Sequence, residues 1–311
     1  MCGIYGVLSY KNGLKDIDKL TKLLAEESAD RGTDATGIAY VVHRDIRINK
    51  KAVSAYKFKT NIPKNVKAVI GHTRHSTQGD CKFNANNHPW KTNVSNCSFA
   101  LAHNGVLMND RELQKKYRFT SKIETDSYIA VQLIKFKNRL NMDSIRFMAE
   151  AISGSFSFNI LDSHNNIYLV KGDSPICLLH FKEKGVYVFA STAMILWRAL
   201  IESELFDELQ NGRYEQLHLS EGEILKICSD GKRESDRFKY REYYGSRWYE
   251  MCGSSQFGHM PEGTYLNDLR AVASSMGVDP DVIEELHLSG YSYDEIEEIL
   301  YYPELIYGGE V

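Results

Sequence analysis

Cys2-Gly3-Ile4-Tyr5-Gly6-Val7-Leu8-Ser9 stands directly behind the start methionine. The run is apolar and reads as an opening strand, Cys2 to Tyr10. Its first residue matters most. With Met1 removed, Cys2 would carry both a thiol and a free α-amine. That amine's reference pKa, about 7.7–8.0, suits a general base near neutrality. A side-chain nucleophile activated by an N-terminal amine is an established catalytic arrangement. The plainer reading is a small apolar cysteine packed at the head of a strand. The rest of the chain decides between them.

Outward from this strand, the composition is that of an ordinary globular protein. Of 311 residues, 43% are hydrophobic and 25% charged, with a net charge of −3. No apolar run reaches the length of a membrane span, and the N-terminus lacks the basic and apolar segments of a secretory signal. Cys2, Cys81, Cys97, Cys177, Cys228 and Cys252 are scattered without a CxxC pair. They read as the reduced thiols of a cytoplasmic protein. The charge is uneven: from Gln256 to Val311 there are twelve acids and one base, Arg270, which leaves the preceding part basic.

The periodicity predicts an amphipathic helix through Ile17, Leu20, Leu23 and Leu24, then strands near 37–42, 67–74 and 98–102. Helices follow near 109–117, 125–138 and 143–152. Strands return at 155–161, 167–171, 176–181 and 186–190, with a helix over 193–205 and a last strand near 223–227. Strands in clusters, joined by short turns and separated by a block of helices, favour antiparallel sheets covered by helices, an α+β arrangement. Residues 1–230 form the expected main domain and 231–260 a linker rich in basic and aromatic residues. Residues 261–311 form an acidic helical tail, with Asp279 and Ser292 as helix caps and Gly290 ending the middle helix. The alternation over 232–249 would also suit single-stranded nucleic acid, but the acidic neighbour argues against it.

Five segments carry the chemistry: Cys2-Gly3-Ile4-Tyr5-Gly6; Arg31-Gly32-Thr33-Asp34-Ala35-Thr36-Gly37; Gly71-His72-Thr73-Arg74-His75-Ser76-Thr77-Gln78-Gly79; His103-Asn104-Gly105; and Glu124-Thr125-Asp126. Each alone has an ordinary reading as a loop, a turn or an ion pair. Together, in this order, the chain resembles the class II glutamine amidotransferases, whose glutaminase domain uses an N-terminal nucleophile. The glutaminase domains of glucosamine-6-phosphate synthase and of glutamine phosphoribosylpyrophosphate amidotransferase are the nearest in pattern. The resemblance covers roughly residues 2–228.

That resemblance implies a four-layer αββα sandwich of two antiparallel sheets, with the small helical module appended. It implies that Cys2 attacks the side-chain amide of L-glutamine and that Asn104 and the Gly105 N–H hold the oxyanion. Arg74 would pair with the substrate α-carboxylate, with Thr77 and His75 beside it. Asp126 would hold the α-ammonium, and Arg31 would support the nucleophile. No cofactor or metal is implied. The chain departs from the sugar-synthase pattern at His75 and Gln78, where that pattern has Trp and His, so the loop over glutamine is expected to close differently. His72, His75, Cys81 and His88 could be read as metal ligands, but their spacing fits no strong zinc signature.

The released ammonia needs an acceptor. Residues 231–311 contain no Gly-rich phosphate loop and no second α/β pattern. The expectation is a glutaminase that passes ammonia to a separate synthetase docked on the C-terminal region. Other readings are a silent interaction module, or an N-terminal-nucleophile hydrolase of another amide.

Overall fold

The structure is a computed structural model. It describes residues 2–240 except Asn12, and, further on, residues 270, 273–274, 278–288, 296 and 299. Two compact units emerge, Met1–Tyr243 and Tyr244–Val311.

The first unit is built on two antiparallel sheets. One has seven strands: β1 (Gly3–Ser9), β2 (Ala35–Val42), β3 (Asp45–Lys51), β4 (Ala68–Arg74), β9 (Cys177–Phe181), β10 (Val186–Ala190) and β11 (Glu215–Leu217). Its order is β11-β9-β10-β1-β4-β2-β3, which puts the opening strand at the centre. The other has six: β5 (Trp90–Val94), β6 (Cys97–Leu107), β7 (Gly154–Asp162), β8 (Ile167–Lys171), β12 (Glu223–Ile227) and β13 (Arg233–Arg237), ordered β13-β12-β8-β7-β6-β5.

Three apolar cores make the layers. Alternate residues of a strand face opposite sides. Ile4 and Leu8 of β1 join Ala100, Ala102, Leu161 and Leu169 between the sheets. Tyr5 and Val7 point the other way, onto α1 (Ile17–Glu27) and α5 (Ala193–Ile201). The six-stranded sheet turns its outer face to α3 (Tyr128–Phe136) and α4 (Met142–Ala151) through Phe99, Leu101, Phe156 and Phe158. The result is helix, sheet, sheet, helix, as the resemblance implied. Two shorter helices, α2 (Asp110–Tyr117) and α6 (Phe206–Gln210), complete the unit. α1, α4 and α5 begin where a short polar side chain, Asp16, Asn141 or Thr192, accepts from one of their first N–H groups. Asp16 accepts from Lys19 N–H at 2.9 Å ahead of α1. Asn141 and Ser144 form a reciprocal cap ahead of α4.

The two sheets are tied together near the start of β1. Asn159 Nδ2 on β7 donates to the carbonyls of Tyr5 and Gly71, each at 3.2 Å. His72 Nε2 on β4 lies 3.0 Å from the His103 carbonyl on β6. Within the seven-stranded sheet Gly71 makes room for Tyr5, its partner across β1 and β4: a Cβ there would sit 2.1 Å from the Tyr5 ring.

Several elements differ from the sequence reading. The expected linker 231–260 gives its residues 233–237 to β13, which pairs with β12 along its length. β3 and β5 also appear where no strand was expected, and β6 runs on through His103-Asn104-Gly105 to Leu107.

In the second unit, α7 (Asp281–Leu288) is described. Asp281 N–H donates to Asp279 Oδ1 at 3.1 Å, a capping contact. Ile283 is buried with Ala273, Val278 and Ile296. The expected cap at Ser292, the helix end at Gly290 and most of the expected helical tail over 261–311 lie outside the described residues. Among the described residues, no helix is long and apolar enough to cross a membrane.

Candidate active site

Cys2 immediately precedes the central strand. The β1–β4 register opposes Gly3 to Thr73, so Cys2 stands beside Arg74 and His75 at the end of β4. His75 N–H donates to Cys2 Sγ at 3.4 Å, and the thiol lies 3.4 Å from the His75 carbonyl. Arg31, buried in a 3-10 turn after α1, donates its Nε–H to the Cys2 carbonyl at 3.0 Å. Gly3 leaves the backbone room to enter here: a Cβ would lie 2.6 Å from Thr73 Oγ1.

The Cys2 thiol titrates above its ordinary range. Burial is the main cause; the backbone bond from His75 and the charge of Arg74 oppose it, and Asp126 adds to it. A thiol in this position is neutral at pH 7 and needs a base to become a nucleophile.

Arg74 is buried, and its guanidinium is wrapped by a loop. Nη2 donates to the carbonyls of Gln78 at 2.7 Å and Gly79 at 2.8 Å, and Nη1 donates to Asn87 Oδ1 at 2.6 Å. Of five guanidinium N–H groups, Nε–H and one on Nη1 remain for a ligand. Asp34, from the 31–37 segment, accepts from Ser76 N–H at 2.7 Å and holds the base of this loop. Gln78 Nε2 donates to the Glu124 carbonyl at 2.9 Å, which docks the loop against the segment leading to Asp126. The Gln78 departure is thus put to structural use, with its carbonyl on Arg74 and its amide on the opposite wall.

Asp126 is buried at the head of α3. Oδ2 accepts from Leu107 N–H at 2.6 Å and Oδ1 from Ser127 Oγ–H at 3.2 Å. Ser127 Oγ also lies 2.8 Å from His103 Nδ1, which must then be the donor, because the hydroxyl proton is already given to Asp126. Asp126 acts electrostatically on both Cys2 and Arg74.

Asn104 lies on β6, buried to 1% exposure, and its Nδ2 has no hydrogen-bond partner. A buried amide donor left unpaired costs about 1–3 kcal/mol, which a fold tolerates where a ligand is to be met. Gly105 follows with φ +134°, and a Cβ there would come within 2.0 Å of the Ser155 carbonyl. Only glycine suits this point of the strand.

The structure therefore brings Cys2, Arg31, Arg74, Asp126 and the β6 pair Asn104-Gly105 to one end of the sandwich. It does not bring the other two expected residues in: the His75 and Thr77 side chains are exposed, and His75 meets Cys2 through its backbone. Burial holds His72 and His103 neutral, down to about 3 and about 4, and pushes His88 in the same direction. Among the described residues, no three His, Cys, Asp or Glu side chains converge as metal ligands. Asp34, Asn87, His103 and Ser127 support the site without having been named individually. Asp34 and His103 sat in segments already singled out, whereas the contacts of Asn87 and Ser127 left no trace in spacing.

Residues 72–198 match the family described as a glutamine amidotransferase domain. The glutamine–fructose-6-phosphate aminotransferase (isomerizing) of Staphylococcus epidermidis is 28% identical over 303 residues, covering 92% of this chain and 43% of that protein. Its counterpart in Staphylococcus aureus is 31% identical over 249 residues, covering 73% of this chain and 36% of the relative. Among solved structures, glutamine phosphoribosylpyrophosphate amidotransferase from B. subtilis complexed with ADP and GMP superposes with a TM-score of 0.63 at 20% identity. That match covers 88% of this chain and 58% of the other. The likeness shows a shared fold of two antiparallel sheets layered between helices. The chain spans less than half the length of the curated relatives it matches.

Proposed function

From the premise that this chain carries a glutamine amidotransferase domain of the class II, N-terminal-nucleophile type, we infer that it hydrolyses the side-chain amide of L-glutamine through a Cys2 thioester. The observation that carries this reading is the unpaired, buried Nδ2 of Asn104 on the strand that holds Gly105. An oxyanion hole needs donors fixed before the charge appears.

In this mechanism the α-amine of Cys2, freed by loss of Met1, takes the thiol proton. Met1 itself lies outside the described residues. Sγ attacks the amide carbon, and the carbonyl oxygen becomes an oxyanion held by Asn104 Nδ2 and the Gly105 N–H. The tetrahedral adduct collapses when the amine returns its proton to the leaving nitrogen, releasing ammonia and leaving a thioester. Water, deprotonated by the same amine, attacks the thioester and yields glutamate. The raised pKa of the Cys2 thiol supports the need for that base.

Arg74 and Asp126 read the amino-acid head. A cation for the α-carboxylate and an anion for the α-ammonium favour free glutamine over a peptide amide. Arg31 holds the nucleophile's backbone. His75 and Thr77, whose side chains are exposed, take part only if the 75–79 loop folds over bound glutamine.

The ammonia passes to an acceptor on a separate synthetase, with the acidic residues 256–311 as the docking region. Their strong negative charge supports a partner-facing role. Purified protein should release glutamate and ammonia in equal amounts from glutamine, and a co-encoded synthetase should stimulate it. Turnover of other amides in preference to glutamine would contradict the substrate reading.

A further inference from the structure

Arg74 is held by an asparagine whose own orientation is unambiguous. Asn87 is 1% exposed, and its Oδ1 accepts from Arg74 Nη1 at 2.6 Å. Its Nδ2 donates to the Cys81 carbonyl at 2.8 Å and to Asn84 Oδ1 at 3.2 Å. Arginine only donates and a backbone carbonyl only accepts. Turning the amide over would set donor against donor and acceptor against acceptor. Aspartate could not reproduce the pattern either, because it would face the Cys81 carbonyl with a second oxygen.

Asn87 is braced in turn. Its backbone carbonyl accepts from Lys50 Nζ, which also donates to the Pro89 carbonyl at 3.2 Å. Lys50 belongs to β3 and Arg74 to β4, and β2 lies between them in the sheet. The chain of bonds Lys50–Asn87–Arg74 therefore spans three strands beside the site. Among the described residues, no carboxylate comes within ion-pair distance of Lys50 or Arg74. Burial and the charge of Arg74 pull Lys50 down to about 8. Two partly desolvated cations joined only through neutral groups make a place that attracts an anion.

We propose that Asn87, braced by Lys50, is the positioning residue that sets the Arg74 guanidinium for the α-carboxylate of glutamine. This rests on the reading of Arg74 as the carboxylate ligand. Asn87 itself touches no reacting atom. Its effect is to hold one Nη1–H, so that the plane of the guanidinium and the direction of its remaining N–H groups are fixed before substrate arrives. Affinity gained this way comes from preorganisation.

The test uses the full chain carrying Cys2→Ala, which removes the chemistry and leaves binding. Calorimetry compares L-glutamine with L-glutaminamide, which lacks the α-carboxylate, with and without Asn87→Ala. A hydrogen bond to a charged group corresponds to about tenfold or more in affinity. Asn87→Ala should weaken L-glutamine by about that factor and leave L-glutaminamide within about twofold. Lys50→Met, which removes only the brace, should weaken L-glutamine in the same selective way by a smaller factor, and circular dichroism confirms that each variant is folded. If Asn87→Ala does not fold, the Lys50→Met comparison alone decides. Equal losses for both ligands, or no loss for L-glutamine, overturn the positioning role. Failure of Cys2→Ala itself to bind L-glutamine overturns the functional reading, and the positioning role with it.

Discussion

Arg31 donates its Nε–H to the backbone carbonyl of Cys2 at 3.0 Å, joining the turn after the first helix to the residue that leads into the first strand. The bond uses the main-chain carbonyl of Cys2 and not its thiol. The same 31–37 segment sends Asp34 to Ser76 N–H at 2.7 Å, so one loop supports both Cys2 and the loop over Arg74.

Arg31→Met should therefore act on catalysis more than on recognition. Losing a buried, charged donor to the Cys2 carbonyl lets the nucleophile's backbone shift, and a misplacement on the order of 1 Å costs about 10²-fold. We expect kcat to fall by about that factor and KM for glutamine to stay within about threefold. Lysine at this position, with a differently shaped head, should rescue only in part. A rise in KM at unchanged kcat would assign Arg31 to the substrate instead.

Among the described residues, Asn104→Ala removes the one buried side-chain amide donor left unpaired. Loss of an oxyanion donor typically costs about 10²–10³ in kcat with little change in KM. The same variant should be at least as stable as the parent, because an unsatisfied buried group goes with it. Steady-state kinetics beside urea denaturation reads both effects. A variant that keeps full kcat removes Asn104 from the oxyanion site.

Gly105→Ala tests the backbone. The residue sits at φ +134°, and a Cβ would press on the Ser155 carbonyl at 2.0 Å. Strain of this kind costs of order 1–3 kcal/mol before the contact is relieved. A drop in the urea midpoint is expected together with loss of activity. An alanine variant of unchanged stability would mean that β6 does not pass β7 in the register described.

Acid should weaken the fold early. His72 and His103 are held neutral by burial, with pKa values near 3 and 4, and His88 is shifted the same way. Unfolded, each binds a proton near pH 6.5. Between pH 6.5 and the folded values the unfolded chain holds more protons, so stability falls as pH falls. The loss is roughly 1.4 kcal/mol per pH unit for each histidine in that window, and it is absent above pH 6.5. Denaturation curves at pH 7.5, 6.0 and 5.0 check this. A flat stability across that range would contradict the buried, neutral cluster.

Much of this arrangement was legible in the chain because it depends on local pattern. The opening strand, the helices over 17–27 and 142–151 and the buried strands Ile167–Lys171 and Val186–Ala190 announce themselves by apolar periodicity. β3 and β5 do not, because edge strands with one side open to water carry polar runs such as Asp45-Ile46-Arg47-Ile48-Asn49-Lys50-Lys51. His103-Asn104-Gly105 reads as a turn, yet Gly105 spends its positive φ inside a strand. The roles expected of Cys2, Arg74, Asn104 and Asp126 are those implied by the family resemblance that their motifs, in this order, carry. Asn87 was not legible in this way, because its value lies in joining Arg74 and Lys50, on two different strands, to the Cys81 and Asn84 of its own loop, which no spacing rule anticipates. His75 and Thr77 show the converse: proximity to Arg74 in sequence did not bring their side chains inward.

The central claim is that Cys2, processed to the N-terminus, is the nucleophile of a glutamine-reading site. Intact-mass analysis after exposure to diazo-oxo-norleucine, a glutamine-shaped electrophile, tests it most directly. The account predicts one adduct on a chain that has lost Met1, protection by L-glutamine, and no adduct on Cys2→Ala. An adduct on another cysteine, or none on processed protein, would contradict it.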